Sequence, residues 1–220
     1  MKTRRTNVVG RGLALGALTA AALLIVARPA EARLLDLRAG ARAGGMTGWG
    51  TTANTPDFFE RKQGAGAGVE VGARLLIFDF SLNFTQLFDG SGRNGTFTQA
   101  LVGIAIDIPV GNQYFQKGQI GAGQSKNILR PIVGAGFGIG TPEPINPPLD
   151  NAQISDKGLV TRMGLGYEHF LNSFIGVGAQ VDFGYHYFAG GGQSMLASNQ
   201  THSTGYHLNG FGTLTFHLGL

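Results

Sequence analysis

The chain has 220 residues, with 17 Lys or Arg against 13 Asp or Glu, 37 glycines and no cysteine. The lack of cysteine excludes a disulfide-held scaffold and an acylated lipoprotein start, and so many glycines argue against an all-helical fold. The formal charge of +4 does not mark a nucleic-acid binder, because the excess sits in the first 32 residues.

Those residues read as a secretory signal. Lys2, Arg4, Arg5 and Arg11 form a positive n-region, Leu13 to Val26 an apolar run of about 14 residues, and Ala30-Glu31-Ala32 a cleavage site. The run is short for a spanning helix, which needs about 20 residues; an uncleaved anchor is the alternative. Cleavage after Ala32 removes five basic residues and one acidic one. Residues 33–220, the expected single domain, then hold 12 of each sign and are neutral. Nucleic acid, which needs a concentrated positive surface, is not an expected partner.

The domain alternates apolar with small or polar residues, the period of a strand with two unlike faces. Eight segments show it in turn: Leu35–Gly44, Gly64–Leu75, Phe78–Thr85, Gln99–Ile108, Ile132–Ile139, Leu159–Glu168, Ile175–Tyr187 and Tyr206–Leu220. Pro131 stands at the expected start of the fifth, where a strand tolerates proline. Residues 45–63, 87–95, 141–156 and 189–203 are rich in turn and loop residues, whereas 76–77 and 170–173 are very short connections. The connection 109–128 breaks this rhythm: it is long and carries Tyr114, Phe115, Lys117 and Lys126.

Eight strands with long and short connections predict an antiparallel up-and-down meander closed into a barrel. The charges decide which face is inside. Asp36, Arg38, Arg42, Glu70, Arg74, Asp79, Asp107, Arg162, Glu168, Asp182 and His186 share the face that carries the glycines. Glycine gains nothing on a wet outer surface, but in a narrow barrel it makes room for a long side chain opposite. The apolar face is therefore expected outside, against lipid, with every backbone group satisfied by closure. A secreted soluble barrel of the lipocalin or avidin type is the competing architecture. Symmetric hairpins would oppose Arg38 to Glu70, Arg74 to Asp79 and Arg162 to Asp182 as interior ion pairs.

Three stretches carry a family likeness: Arg130-Pro131-Ile132-Val133-Gly134-Ala135-Gly136-Phe137-Gly138, Met163-Gly164-Leu165-Gly166-Tyr167-Glu168 and Ile175-Gly176-Val177-Gly178-Ala179-Gln180-Val181. On these the chain resembles the small eight-stranded outer-membrane barrels typified by the OmpA membrane domain, OmpX and OmpW. The terminal alternation Leu214, Phe216, Leu218, Leu220 resembles the signal read by the barrel-assembly machinery, though it ends on Leu rather than Phe. The resemblance implies an outer-membrane location in a Gram-negative cell and both termini in the periplasm. It also implies outer-membrane lipid as surroundings, and assembly machinery and periplasmic chaperones as partners in biogenesis. A monomer is expected.

Motifs for chemistry are sparse. No H-E-x-x-H, G-x-S-x-G or Walker pattern occurs, and Gly134, Gly136, Gly138 and Gly140 precede Thr141-Pro142 rather than a helix, so they read as packing. His186, His202 and His207 fall near one rim, without a cysteine or carboxylate at ligand spacing. They read as polar rim residues; a metal or catalytic site is the alternative. Neither His202 nor His207 has a serine two residues later, the pattern of lipid-A deacylase barrels. The expectation is a non-enzymatic barrel without cofactor, metal or catalytic residues. Its role would be structural, adhesive or in surface interaction through the loops. A narrow porin-like channel comes second and a rim lipid-modifying enzyme third.

Overall fold

In the computed structural model, which describes residues 35–50, 63–89, 94–116, 124–142, 156–189 and 202–219, the alternating segments form strands. They are β1 (Leu35–Gly50), β2 (Gln63–Leu75), β3 (Phe78–Asp89), β4 (Gly95–Ala105), β5 (Ile108–Pro109), β6 (Asn127–Pro142), β7 (Asp156–Phe170), β8 (Ile175–Ala189) and β9 (His202–Gly219). Neighbours pair antiparallel, β1 pairs with β9, and β4 pairs with β6. This closes an eight-stranded up-and-down barrel in which β5 continues β4. The signal segment 1–32 and the middles of the four long connections lie outside the described residues.

Several boundaries differ from the sequence reading. β1 runs on to Gly50, β3 to Asp89, and β9 starts at His202, each within an expected loop. At the end of β1 the inward positions are Gly44, Met46 and Gly48, whose composition resembles a loop although their period is that of a strand. Pro131 is four residues inside β6 rather than at its start. Facing it, Ile106 donates to the Pro131 carbonyl at 3.2 Å, and proline has no N–H to return the bond. The ladder therefore lapses at Ile106 and Asp107 and resumes at Ile108↔Leu129 in the same register.

The register fixes the barrel's girth. Asp36 leads to Arg74, Asp79, Gly103, Gly134, Arg162, Gly184, His207 and back to Gly48, so one circuit climbs 12 residues along β1. Twelve residues at about 3.4 Å rise against eight strands about 4.8 Å apart tilt the strands by about 47° and give a backbone radius of about 9 Å. That interior needs large side chains to fill it.

The faces divide as the charges required. Leu37, Val71, Phe80, Val102, Phe137, Met163, Val181 and Phe216 point outward and are exposed, while Asp36, Arg38, Arg74, Asp79, Arg162 and Asp182 are buried inside. A soluble barrel would reverse this: a continuous outer apolar belt has no place in water, and a polar lumen is what transmembrane barrels have. Trp49, Tyr187 and Tyr206 stand outward at the loop end, and Phe78, Tyr167 and Phe174 near the turn end, as girdles do.

The described ends of the long connection after β5, residues 110–116 and 124–126, meet each other, and Lys117 lies outside the described residues. A bridge pairs Tyr114 with Ser125, and Lys126 donates its backbone N–H to Gln113 O at 2.8 Å. This brings Phe115 against Ile128 and Phe170, a buried apolar cluster at the turn end. The Lys126 ammonium lies 5.4 Å from the centre of the Phe115 ring.

Candidate functional site

Among the described residues, the barrel interior holds nearly all the buried polar side chains, arranged in levels. At the turn end Asp107 receives two guanidiniums. Arg74 Nη1 and Nη2 donate to it at 2.6 and 2.7 Å, and Arg130 Nε at 2.6 Å. Burial disfavours the Asp107 carboxylate, and the Arg74 and Arg130 guanidiniums compensate its charge. Arg74 also reaches Asp36 at 3.4 Å, and Arg130 reaches Glu168 at 3.2 Å. His217 lies between those last two carboxylates, 3.0 Å from Asp36 and 2.8 Å from Glu168.

One level up, Arg38 joins Glu70 at 2.9 Å and Asp79 at 2.5 Å. Arg42 donates to Asn83 at 3.0 Å and to Thr85, has Glu70 at 3.9 Å, and stacks 5.0 Å from the Phe211 ring centre. Arg162 Nε donates to Asp182 at 3.0 Å, and Gln180 donates to the other oxygen of Asp182 at 2.6 Å. Arg38, Arg42, Glu70, Arg130, Glu168 and Gln180 surround a cavity of about 40 Å³, room for about three waters.

Of the three pairs expected from sequence, Arg38 meets Glu70 and Arg162 meets Asp182, but not through the expected register. Arg38 stands opposite Gly72, and Asp182 opposite Gly164, so both pairs reach diagonally past a glycine. A Cβ on Gly164 would collide with Asp182 Oδ1, so this diagonal requires glycine there. The third pair needs correction. Arg74 and Asp79 are directly opposite, yet Asp79 bonds Arg38 while Arg74 bonds Asp107 and Asp36. Asp107, on the interrupted segment below β4, offers Arg74 a two-pronged partner that a cross-strand neighbour does not. Arg130 and His217 were not among the expected interior charges. Strand parity could have found both, since Arg130 is two residues before inward Ile132 and His217 ten after inward His207.

The histidine rim needs correction as well. His186 and His207 are fully buried, not rim-exposed, with ring centres 5.9 Å apart in a stacked arrangement. Phe188 stacks on His186 at 4.8 Å, and Phe97 meets His207 edge-on at 5.9 Å. They lie beside the apolar cluster Met46, Leu87, Phe97, Leu101, Val160 and Phe188, which fills the loop end of the lumen. The side chain of His202 lies outside the described residues. Among the described residues no group of three His, Cys, Asp or Glu is arranged to hold a metal ion.

A closed antiparallel barrel with lipid-ready walls, a charged and filled lumen and apolar clusters at both ends belongs to the class of small transmembrane β-barrels. A comparison with a solved structure agrees on the fold. The chain is similar to Neisserial surface protein A (NspA), with a TM-score of 0.50 at 8% identity over 83% of this chain and 96% of that one. It is also similar to the N-terminal β-barrel domain of Pseudomonas aeruginosa OprF, with a TM-score of 0.45, 15% identity and coverage of 83% and 97%. No protein-family model matches the chain, and no curated relative does.

Proposed function

We propose that the protein is a non-conducting outer-membrane barrel with a structural or surface-interaction role. One observation carries this reading: the lumen is occupied by a cross-linked charge network between two apolar clusters, Phe115–Ile128–Phe170 at one end and the Phe97–Phe188 group at the other. A passive channel needs a continuous wet path, and a rim enzyme needs accessible groups; the buried His186 and His207 offer neither. What remains available to partners is the set of four long connections leaving one end, which outer-membrane barrels direct outward. Outer-membrane lipid forms the surroundings, and the termini face the periplasm.

The test joins location with conductance. Protein from the outer-membrane fraction is expected to shift in gel migration on boiling, and to give no unitary current in planar bilayers. Steady open channels would overturn the non-conducting reading, and recovery in the soluble fraction would overturn the membrane reading.

A further inference from the structure

We infer that His217 is the sixth cation of the interior network, an imidazolium that latches the seam between β1 and β9 and makes barrel closure depend on pH. The argument begins with a charge count. The network contains six carboxylates, Asp36, Glu70, Asp79, Asp107, Glu168 and Asp182. It contains five guanidiniums, Arg38, Arg42, Arg74, Arg130 and Arg162. One negative charge is left over unless the network holds one further proton, and imidazole, about two pKa units more basic than a carboxylate, is its natural seat.

The ring geometry fits the same state. Nδ1 is 3.0 Å from Asp36 Oδ2 and Nε2 is 2.8 Å from Glu168 Oε1. With that proton on the imidazole both carboxylates stay ionised and can only accept, so both ring nitrogens donate, as only the imidazolium with its two N–H groups can. The side chain is 1% exposed, so water does not substitute for either partner.

Every element around the ring fits this reading. β1 presents Asp36 and, opposite His217 in register, Arg38, which is occupied by Glu70 and Asp79. β2 presents Arg74 to Asp36, the segment below β4 presents Asp107 between Arg74 and Arg130, and β6 presents Arg130 to Glu168. β7 presents Glu168 itself and the Phe170 ring, centred 5.0 Å from the imidazole. β8 presents only Gly176, where a Cβ would strike the Glu168 carboxylate. The backbone N–H of His217 is tied to Phe174 O at 2.7 Å, in the turn between β7 and β8.

His217 thus joins the last strand to the first, across 181 residues of sequence. Loss of its proton would leave one ring N–H between two carboxylates and an uncompensated negative charge at the seam. The folded state then holds a proton that the unfolded chain releases at neutral pH, so stability falls as pH rises through that range.

Two measurements test this. In wild-type protein labelled with ¹⁵N-histidine in lipid micelles, one ring is expected to show two protonated nitrogens at pH 7.5, and the His217→Gln variant should lack that signal. No ring with two protonated nitrogens at that pH would overturn the proposal. Urea unfolding in vesicles between pH 6 and 9 should show wild type losing up to about tenfold in folding equilibrium constant per pH unit. The His217→Gln variant should be weaker overall and lack that slope, while His217→Lys should keep its stability at high pH. Equal slopes in wild type and His217→Gln would also overturn it. If the glutamine variant does not fold, the wild-type ring signal and the lysine variant decide.

Discussion

The Arg162–Asp182 pair offers the cleanest measurement of what the filled lumen contributes. Asp182 accepts from Arg162 Nε at 3.0 Å and from Gln180 at 2.6 Å, and both charged side chains are about nineteen-twentieths buried. Arg162 Nη2 has no hydrogen-bond partner, so Asp182 supplies the guanidinium's short-range compensation. Asp182→Ala should therefore cost about 3–5 kcal/mol, the range for leaving one member of a buried pair uncompensated. Arg162→Met should cost less, because Gln180 still bonds the remaining carboxylate. The double variant should cost well under the sum, giving a coupling energy of about 2 kcal/mol or more. Urea unfolding in lipid vesicles measures this, followed by heat-sensitive gel migration and by Trp49 fluorescence. Trp49 is the chain's single tryptophan and faces outward at the loop end of β1, so it leaves lipid when the barrel opens. A cost for Asp182→Ala within about 0.5 kcal/mol of zero, the range for ordinary surface changes, would refute the reasoning, as would additive single effects.

The remaining predictions address packing and turns. Gly184→Ala would put a methyl group into the His207 ring and should cost about 1–3 kcal/mol, whereas Gly45→Ala, whose nearest neighbour would be 3.8 Å away, should stay within about 0.5 kcal/mol; urea midpoints compare the two. Leu76 occupies a two-residue hairpin with φ of 56°, a conformation that glycine adopts without strain, so Leu76→Gly should stabilise the barrel by about 1 kcal/mol, read as a higher urea midpoint. Phe115→Ala removes the floor residue and should speed amide exchange at Lys126 and Phe170, whose N–H groups hold that connection. Bilayer conductance should stay absent, because the loop-end cluster remains.

Most of the barrel was legible because the two faces obey one rule without interruption. The alternation of Ile175 to Tyr187 survives as β8 with the apolar side outward. The register was not legible. Composition says that Arg38 needs a carboxylate, but only the ladder shows that Glu70 lies diagonally beyond Gly72. Arg74 was assigned to Asp79 by simple opposition and instead turns toward Asp107, whose position depends on the ladder lapse that Pro131 imposes. His217 was passed over because nothing local distinguishes it from His207. One ends between two carboxylates and the other beside phenyl rings, and that difference belongs to the neighbouring strands.

The charges inside this barrel need a reason beyond stability, since buried ion pairs are often no better than apolar packing of equal volume. Register supplies one. A slip of one residue reverses both faces of a strand. If the lumen were as apolar as the outer wall, such a slip would cost little, and eight similar strands could close in several ways. Here a slip in β1 would turn Arg38 and Arg42 into the lipid, and one in β7 would turn out Arg162. Each exposed arginine costs about 2–4 kcal/mol at mid-membrane. Every strand of the closed barrel except β4 carries an inward ionisable residue bonded in the network, and β4 leads straight into Asp107. The climb of 12 residues per circuit is thus specified strand by strand. A lumen whose charged side chains are committed to fixing register fits the non-conducting role proposed above.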